Sequence, residues 1–380
     1  MKIAFLTPEY PHSRIGDSGG IGTSIMNLSK GLIRQGHQIL LLVYGQDEDA
    51  KFEHDGIIVY KIKNIKFKGL SRYLSQKKIE KLINTLVQQK QIDILEAPDW
   101  GNTSFIKAKC PIVIRLHGSD TYFCHLDNRP VKWNNHFHEK RTLQNADAII
   151  SVSNYTAELT NTLFHLKKEF TVIPNGIDID KFTIPQNSAK QNIILYFGTL
   201  IRKKGLLELP LIFNRVTEKN KDARLILIGR DSSDVISGNT STWQMMQSLF
   251  SETALKNVSY LGSVPYSEIK NHIEQATLCV FPTFAEALPV SWLEAMSMKK
   301  PLIASNIGWA KEIIDDSKDG FLVHPKNHKE FANKIIEILD SEALQNTIGN
   351  SARKKIEEKF TIDIVASQSA DFYKKIVIIK

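Results

Sequence analysis

Short apolar runs recur along the chain, bounded by turn residues and mostly followed by stretches of helical spacing. In the first half they fall at Ile3–Thr7, Gln38–Tyr44, Ile57–Ile62, Ile92–Ala97, Pro111–His117, Ala148–Ser153 and Phe170–Pro174. In the second half they fall at Ile193–Gly198, Ala223–Gly229, Ser259–Gly262, Leu278–Pro282, Leu302–Ser305 and Gly320–Val323. Apolar runs of this length read as strands buried on both faces. Strands that alternate with helices predict an α/β fold with mostly parallel, doubly wound sheets. A chain of 380 residues exceeds what one core ordinarily holds, so two such domains are expected. The turn-rich VIPNGIDIDKF (Val172–Phe182) and the polar PQNSAKQN (Pro185–Asn192) place the division between residues 1–184 and 185–360, with a hinge at Ile184–Asn192. Ser351–Lys380 reads as helical with a break near Phe360–Thr361, and residues 361–380 are expected to pack back on the first domain.

Composition narrows the class. Hydrophobic content of 42% and charged content of 24% fit a folded globular protein and exclude a disordered one. No apolar run approaches the roughly 18 residues needed to span a bilayer. MKIAFLTPEY reads as a first strand rather than a signal peptide. Cys110, Cys124 and Cys279 have no metal-like spacing, and so sparse a set fits a reducing, cytoplasmic setting. The net charge of +8 is concentrated: Lys61–Lys90 holds nine Lys and Arg against the single acid Glu80. Leu70, Tyr73, Leu74, Ile79, Leu82, Ile83 and Leu86 lie there at helical spacing. The segment fits either the solvated face of a surface helix or a dock for an anionic membrane. Nucleic acid is set aside because no nucleic-acid motif accompanies the charge.

Candidate chemistry gathers where strands hand over to helices. The stretch FPTFAEALPVSWLEAM (Phe281–Met296) reads as strand, tight turn, helix. The N–H groups and dipole of such a helix start favour an anion, most often phosphate. Glu286 is placed in the turn, Glu294 about one turn into the helix, and Pro289 near the first turn, where its missing N–H costs little. Acids near a helix start also simply complement the dipole. Arg202, Lys203 and Lys204 follow the strand Ile193–Gly198, and Gly205 opens the next helix. This triplet fits a diphosphate clamp or a solvated charge run. In the first half, Gly19 and Gly20 open a helix bearing Ile21, Ile25, Leu28 and Leu32. With Gly22 they do not match the dinucleotide-binding spacing GxGxxG. His117 ends its strand beside Gly118, and parallel sheets bind ligands at the carboxyl ends of their strands.

In this order, these segments and VSNYTAE (Val152–Glu158), VIPNGID (Val172–Asp178) and SNIGWAKEIIDDSKDGFLV (Ser305–Val323) resemble the retaining GT-B glycosyltransferases of family 4 along nearly the whole chain. The resemblance implies two Rossmann-like domains facing each other across a cleft, with acceptor bound mainly to the first and donor to the second. It implies a hexosyl- or N-acetylhexosaminyl-transferase using a nucleotide-sugar donor, UDP by family frequency, and a glycan or lipid-linked acceptor. Arg202 and Lys204 would hold the diphosphate, Glu294 the ribose hydroxyls, and Glu286 would face the donor sugar. Backbone N–H groups of Ala287, Leu288 and Val290 would receive phosphate or sugar oxygens, and the segment around Val264 would read the base. Gly19 and Gly20 would approach the phosphate, and His117 would reach the sugar and help stabilise the transition state, sharing the catalytic role with Glu286, Arg202 and Lys204. No cofactor and no metal are implied, because cationic side chains take the metal's place. Thr199 stands where many relatives carry Arg, Trp309 and Lys311 replace smaller or apolar residues, and Pro289 cannot donate a backbone hydrogen bond. The competing readings are a non-catalytic GT-B subunit that binds a glycan or a partner transferase, and a nucleotide-sugar epimerase or phosphorylase on the same scaffold.

Overall fold

The structure, a computed structural model, describes residues 1–16, 18–184 and 192–379. It divides into two compact units, Met1–Ile177 with the residues from Phe360 onward, and Asp178–Lys359. The division falls at Ile177–Asp178 rather than at the expected 184/185, and the chain returns to the first unit at Phe360 against the expected 361. Most of the segment expected to form the hinge, 185–191, lies outside the described residues.

Unit 1 is built on β1 (Lys2–Thr7), β2 (Gln38–Gln46), β3 (Ala50–His54), β4 (Ile57–Lys63), β5 (Ile94–Pro98), β6 (Ile112–Leu116), β7 (Ala148–Ser151) and β8 (Thr171–Val172). Their order across the sheet is β3-β4-β2-β1-β5-β6-β7-β8. All pairings are parallel except β3 on β4. Both faces of the central strands are covered, which is why their apolar runs are continuous. On one face the helix Ser71–Gln88 buries Ile79, Ile83 and Leu86. On the other the helix Gly20–Arg34 buries Ile21, Ile25, Leu28 and Leu32 beside Val365, Ala366, Ala370 and Tyr373 of the C-terminal helix Ile362–Ile379. Each buried Ile, Leu or Val among these is worth about 1.5–3 kcal/mol of burial. Arg115 on β6 holds Glu96 of β5 through Nε and Nη2 at 2.8 and 3.1 Å, and Ser369 and Tyr373 of the C-terminal helix join that buried pair. β3 was not expected: AKFEH is short and polar, and its alternating half-burial marks a sheet edge.

Unit 2 is built on β9 (Ile193–Phe197), β10 (Arg224–Ile228), β11 (Val258–Tyr260), β12 (Leu278–Phe281), β13 (Leu302–Ala304) and β14 (Phe321–Leu322). The order is β11-β10-β9-β12-β13-β14, all parallel. In both units the strand order reverses at the first strand. β1 has β2 on one side and β5 on the other, and β9 has β10 on one side and β12 on the other. The helices Glu342–Lys359 and Ile362–Ile379 break at Phe360–Thr361, the expected position. Among the described residues no helix is long and apolar enough to cross a membrane.

Candidate active site

Open parallel sheets bind ligands outside the carboxyl ends of the strands, where the strand order reverses. In unit 2 that point lies between β9 and β12. It is framed by the loop Gly198–Gly205 after β9 and the loop Pro282–Pro289 after β12. The backbone ties these loops together: the N–H groups of Phe284 and Ala285 donate to the Lys203 carbonyl at 2.8 and 3.3 Å. Gly205 makes the approach possible. Its φ of +74° is left-handed, and a Cβ there would stand 1.7 Å from the Pro282 carbonyl oxygen. This pinning delivers the Lys204 ammonium onto a carboxylate oxygen of Glu286, as an ion pair with both side chains largely buried.

The helix Val290–Ser297 starts at once after this turn. Pro289 is its N-cap (φ −72°, ψ 122°), and no side chain caps it. A helix start that no side chain caps, beside a lysine, is a site for a phosphate. Ala287, Leu288 and Val290 are buried around that turn. Glu294 lies one turn further on and is 4% exposed. The Tyr266 hydroxyl donates to its Oε1 at 2.6 Å, and the Lys181 ammonium sits 3.7 Å above the Tyr266 ring. Burial pushes the Glu294 carboxyl up to about 7, against the opposing pull of the Tyr266 bond and the Lys181 charge. Tyr266 opens the helix that follows the Val264–Pro265 turn, so the segment expected to read a base also positions the carboxylate expected to hold the ribose.

Arg202 is placed differently from its expected role. Its Nε and Nη2 fork grips both oxygens of Asp234 at 2.8 and 2.7 Å, and Ser237 adds a backbone and a hydroxyl donor to the same carboxylate. The Arg202 bonds hold Asp234 well below the usual carboxylate range. An anion seeking Arg202 must therefore compete with a buried carboxylate. Trp309, expected to shape a sugar pocket or to pack, is fully buried, while Lys311 is exposed. The hydroxyls of Thr283 and Ser305, just past β12 and β13, are buried with no hydrogen-bond partner among the described residues.

In unit 1 the reversal lies between β1 and β5. Glu9, just past β1, accepts the Gly22 N–H on Oε1 at 2.9 Å, and a Cβ on Gly19 would stand 3.3 Å from the same oxygen. The helix start where Gly19 and Gly20 were expected to meet phosphate thus already holds a carboxylate of the chain itself. His117, just past β6, donates its backbone N–H to Asp99 Oδ1 at 3.1 Å. Burial, and next the Arg115 charge, lower its imidazole to about 3, so it is neutral at physiological pH. Asp99 is fully buried at the end of β5, and its Oδ2 has no hydrogen-bond partner among the described residues. Burial raises that carboxyl to about 7.

Within unit 2, then, Glu286, Ala287, Leu288 and Val290 share one turn, Lys204 meets it from the facing loop, and Glu294 follows on the helix that the turn opens. Arg202 is turned to Asp234. Asp234, Tyr266, Lys181, Glu9 and Asp99 were not anticipated. Of these only Asp99 left a signal, an acid directly after the apolar run ending IDILEAP. Among the described residues no group of three or more His, Cys, Asp or Glu is arranged to hold a metal ion.

The family described as Glycosyl transferases group 1 matches residues 178–355, and Glycosyltransferase Family 4 matches residues 18–181. An uncharacterized glycosyltransferase of Methanocaldococcus jannaschii is 25% identical over 402 aligned residues, covering 98% of each chain. The capsular polysaccharide biosynthesis glycosyltransferase CapM of Staphylococcus aureus is 27% identical over 208 residues, 52% of each chain. Among solved structures, Anabaena HepE in complex with UDP superposes with a TM-score of 0.75 at 19% identity, over 99% of this chain and 100% of that one.

Proposed function

The chain belongs to the group 1 glycosyltransferases of family 4 and has their GT-B fold, and from that premise we propose a retaining, metal-independent transfer from a UDP-sugar to a hydroxyl of a glycan or lipid-linked acceptor. The observation that carries the donor assignment is the Lys204–Glu286 pair, set at the strand reversal of unit 2 beside an uncapped helix start. UDP as the nucleotide is supported by its presence in HepE. A glycan product is supported by the capsular role in the name of CapM. Cys110, Cys124 and Cys279, all buried and none in a disulfide among the described residues, support a cytoplasmic setting, with the acceptor met at a membrane surface.

On this reading the donor diphosphate lies against Lys204 and the N–H groups that open Val290–Ser297. Glu294 accepts the ribose hydroxyls, one of its oxygens already oriented by Tyr266. Glu286, freed from Lys204 by the incoming phosphate, turns to the sugar. In the reaction the bond from the sugar anomeric carbon to the β-phosphate oxygen breaks, and a bond from the acceptor oxygen forms on the same face. The acceptor proton passes to the departing phosphate. Negative charge grows on the diphosphate as the bond breaks, where Lys204 and the helix dipole stabilise it most. Arg202 supplies positive potential from its seat on Asp234. His117 and Asp99 form the strand-end site of unit 1, assigned to the acceptor side.

The test is turnover of a panel of UDP-, GDP- and ADP-sugars with and without a chelator, with the anomeric configuration of the product read by NMR. UDP-sugar turnover that withstands chelation, with an α-linked product from an α-linked donor, is expected. Chelator-sensitive turnover, or a β-linked product, would refute the metal-independent or the retaining assignment.

A further inference from the structure

The basic segment of unit 1 separates into two kinds of cation. Lys61 pairs with Asp47 and Glu48, Lys77 with Glu80, and Lys78 with Asp49. Of these only Lys78–Asp49 ties the helix Ser71–Gln88 to another segment. Lys66, Lys68 and Arg72 make no ion pair among the described residues, and no acid occurs between Ile57 and Ile79. They stand in the loop after β4 and at the start of the helix, where every residue from Lys63 to Ser71 is exposed. Large apolar side chains alternate with them: Phe67 is 58% and Leu70 49% exposed, with Ile65 beside them.

Beyond the loop, a row of ring contacts passes through the half-buried Phe105 and the buried His138 to link the exposed rings of Tyr73, Phe137 and Trp133. Tyr73 meets Phe105 edge-on at 5.4 Å, Phe105 meets His138 at 5.3 Å, His138 meets Phe137 at 5.2 Å, and Phe137 stacks on Trp133 at 5.4 Å. Trp133, at the start of the helix Trp133–Asn145, is 76% exposed. A cavity of about 190 Å³ opens beside this row, with Lys77, Lys107 and Arg141 around the Tyr73 and Phe105 rings. The solvated face of an ordinary surface helix keeps its large apolar groups inward and its cations paired or scattered. Here Lys66 and Lys68 interleave with the exposed Ile65, Phe67 and Leu70, and the ring contacts lead from Tyr73 on the adjoining helix to the exposed Trp133.

We propose that this rim docks unit 1 on the surface of an anionic phospholipid bilayer, with Phe67, Leu70 and Trp133 entering the interfacial layer and Lys66, Lys68 and Arg72 meeting lipid phosphates. Charge complementarity selects the occupant: apolar side chains alone fit many partners, but interleaved cations without acids fit a surface of negative headgroups. Trp belongs at such an interface because its ring is apolar and its N–H needs a wet partner. One weak signal gives marginal, reversible binding, whereas an apolar and a basic signal together hold. The docking stands on exposure and charge alone. Only its consequence, delivery of the site to a lipid-linked acceptor, rests on the transferase reading.

The experiment is co-sedimentation of the full chain with vesicles of phosphatidylcholine alone and of phosphatidylcholine mixed with phosphatidylglycerol, at low and high salt. Wild type is expected to pellet with the mixed vesicles only, and less so in high salt. The double variant Lys66→Glu/Lys68→Glu should bind about tenfold more weakly or worse. Phe67→Ser and Trp133→Ser should lose binding that salt does not restore. Wild type left in the supernatant with both vesicles, or pelleting equally with both, overturns the proposal. So does self-association that Phe67→Ser abolishes, which would make a second copy of the chain the occupant. UDP binding is measured on every variant. Retained UDP binding with lost vesicle binding confirms the surface as a separate function, whereas failure of wild type to bind UDP strikes the donor reading and leaves the docking result intact.

Discussion

Lys204 is the residue on which the proposed donor site turns. It is the cation at the strand reversal whose partner, Glu286, lies on the facing loop of the same site. Removing one such preorganised donor typically costs about 3–4 kcal/mol in the transition state. Lys204→Ala is accordingly expected to lower kcat/KM for donor by about two to three powers of ten. Arg202→Ala is expected to cost about tenfold or less, because Asp234 already neutralises that guanidinium. Steady-state kinetics on the two variants checks the order; equal losses would show that Arg202 leaves Asp234 for the diphosphate. Glu294 yields a pH prediction. Its carboxyl titrates at about 7 in the folded chain against an ordinary value of 4.5. The folded state keeps that proton longer, so the group's contribution is full below the ordinary value and is lost as pH rises through 7. Urea unfolding at pH 5 and pH 8 should show wild type losing up to about 3 kcal/mol relative to Glu294→Gln over that range. Parallel pH profiles for the two proteins would place the titration elsewhere. Lys204, Glu286 and Glu294 were legible in the sequence because they lie within motifs of fixed spacing after a strand. Asp234, Glu9 and Tyr266 were not, because each meets its partner across a distance in the chain that no local pattern records.

At the scale of elements, the site depends on two strand-end loops pressed closer than side chains allow. Gly205→Ala puts a Cβ into the Pro282 carbonyl at a left-handed φ. The loop must shift, so a loss of at least about 2 kcal/mol is expected, with a larger loss of donor turnover because Lys204 moves with it. The urea midpoint and the turnover number read the two effects; a variant as stable and active as wild type would mean the contact is not maintained. Most elements were legible because buried parallel strands are continuous apolar runs. The helix break near Phe360 was legible as well. The exceptions have physical causes. β3 gains its place from pairing with β4 rather than from its own residues, and β8 pairs over only Thr171–Val172 of the expected Phe170–Pro174 run.

At the scale of the whole molecule, the chain ends belong together: residues from Phe360 onward complete unit 1. Truncation after Lys359 removes Val365, Ala366, Ala370 and Tyr373 from one face of the first sheet and strips the Arg115–Glu96 pair of the Ser369 hydroxyl that accepts from Arg115 and the Tyr373 hydroxyl that donates to Glu96. The truncated chain is expected to aggregate or to lose cooperative unfolding of unit 1. The milder Tyr373→Phe should cost about 1–3 kcal/mol, because a buried carboxylate loses a donor. Thermal unfolding followed by circular dichroism separates these outcomes, and an unchanged transition in both would show that the helix is dispensable. The unit division was harder to read than the fold. Composition marks a polar linker, but the contacts that define a unit end at Ile177, ahead of that stretch. The two family matches meet in the same place, at residues 178–181.

The donor site is tested most directly by calorimetric titration of UDP, GDP and ADP into wild type and Lys204→Ala. UDP is expected to bind wild type and to bind Lys204→Ala about a hundredfold more weakly, with both proteins equally folded. Equal affinity for the two proteins, or no binding of any of the three nucleotides to wild type, would contradict the placement of the diphosphate between β9 and β12.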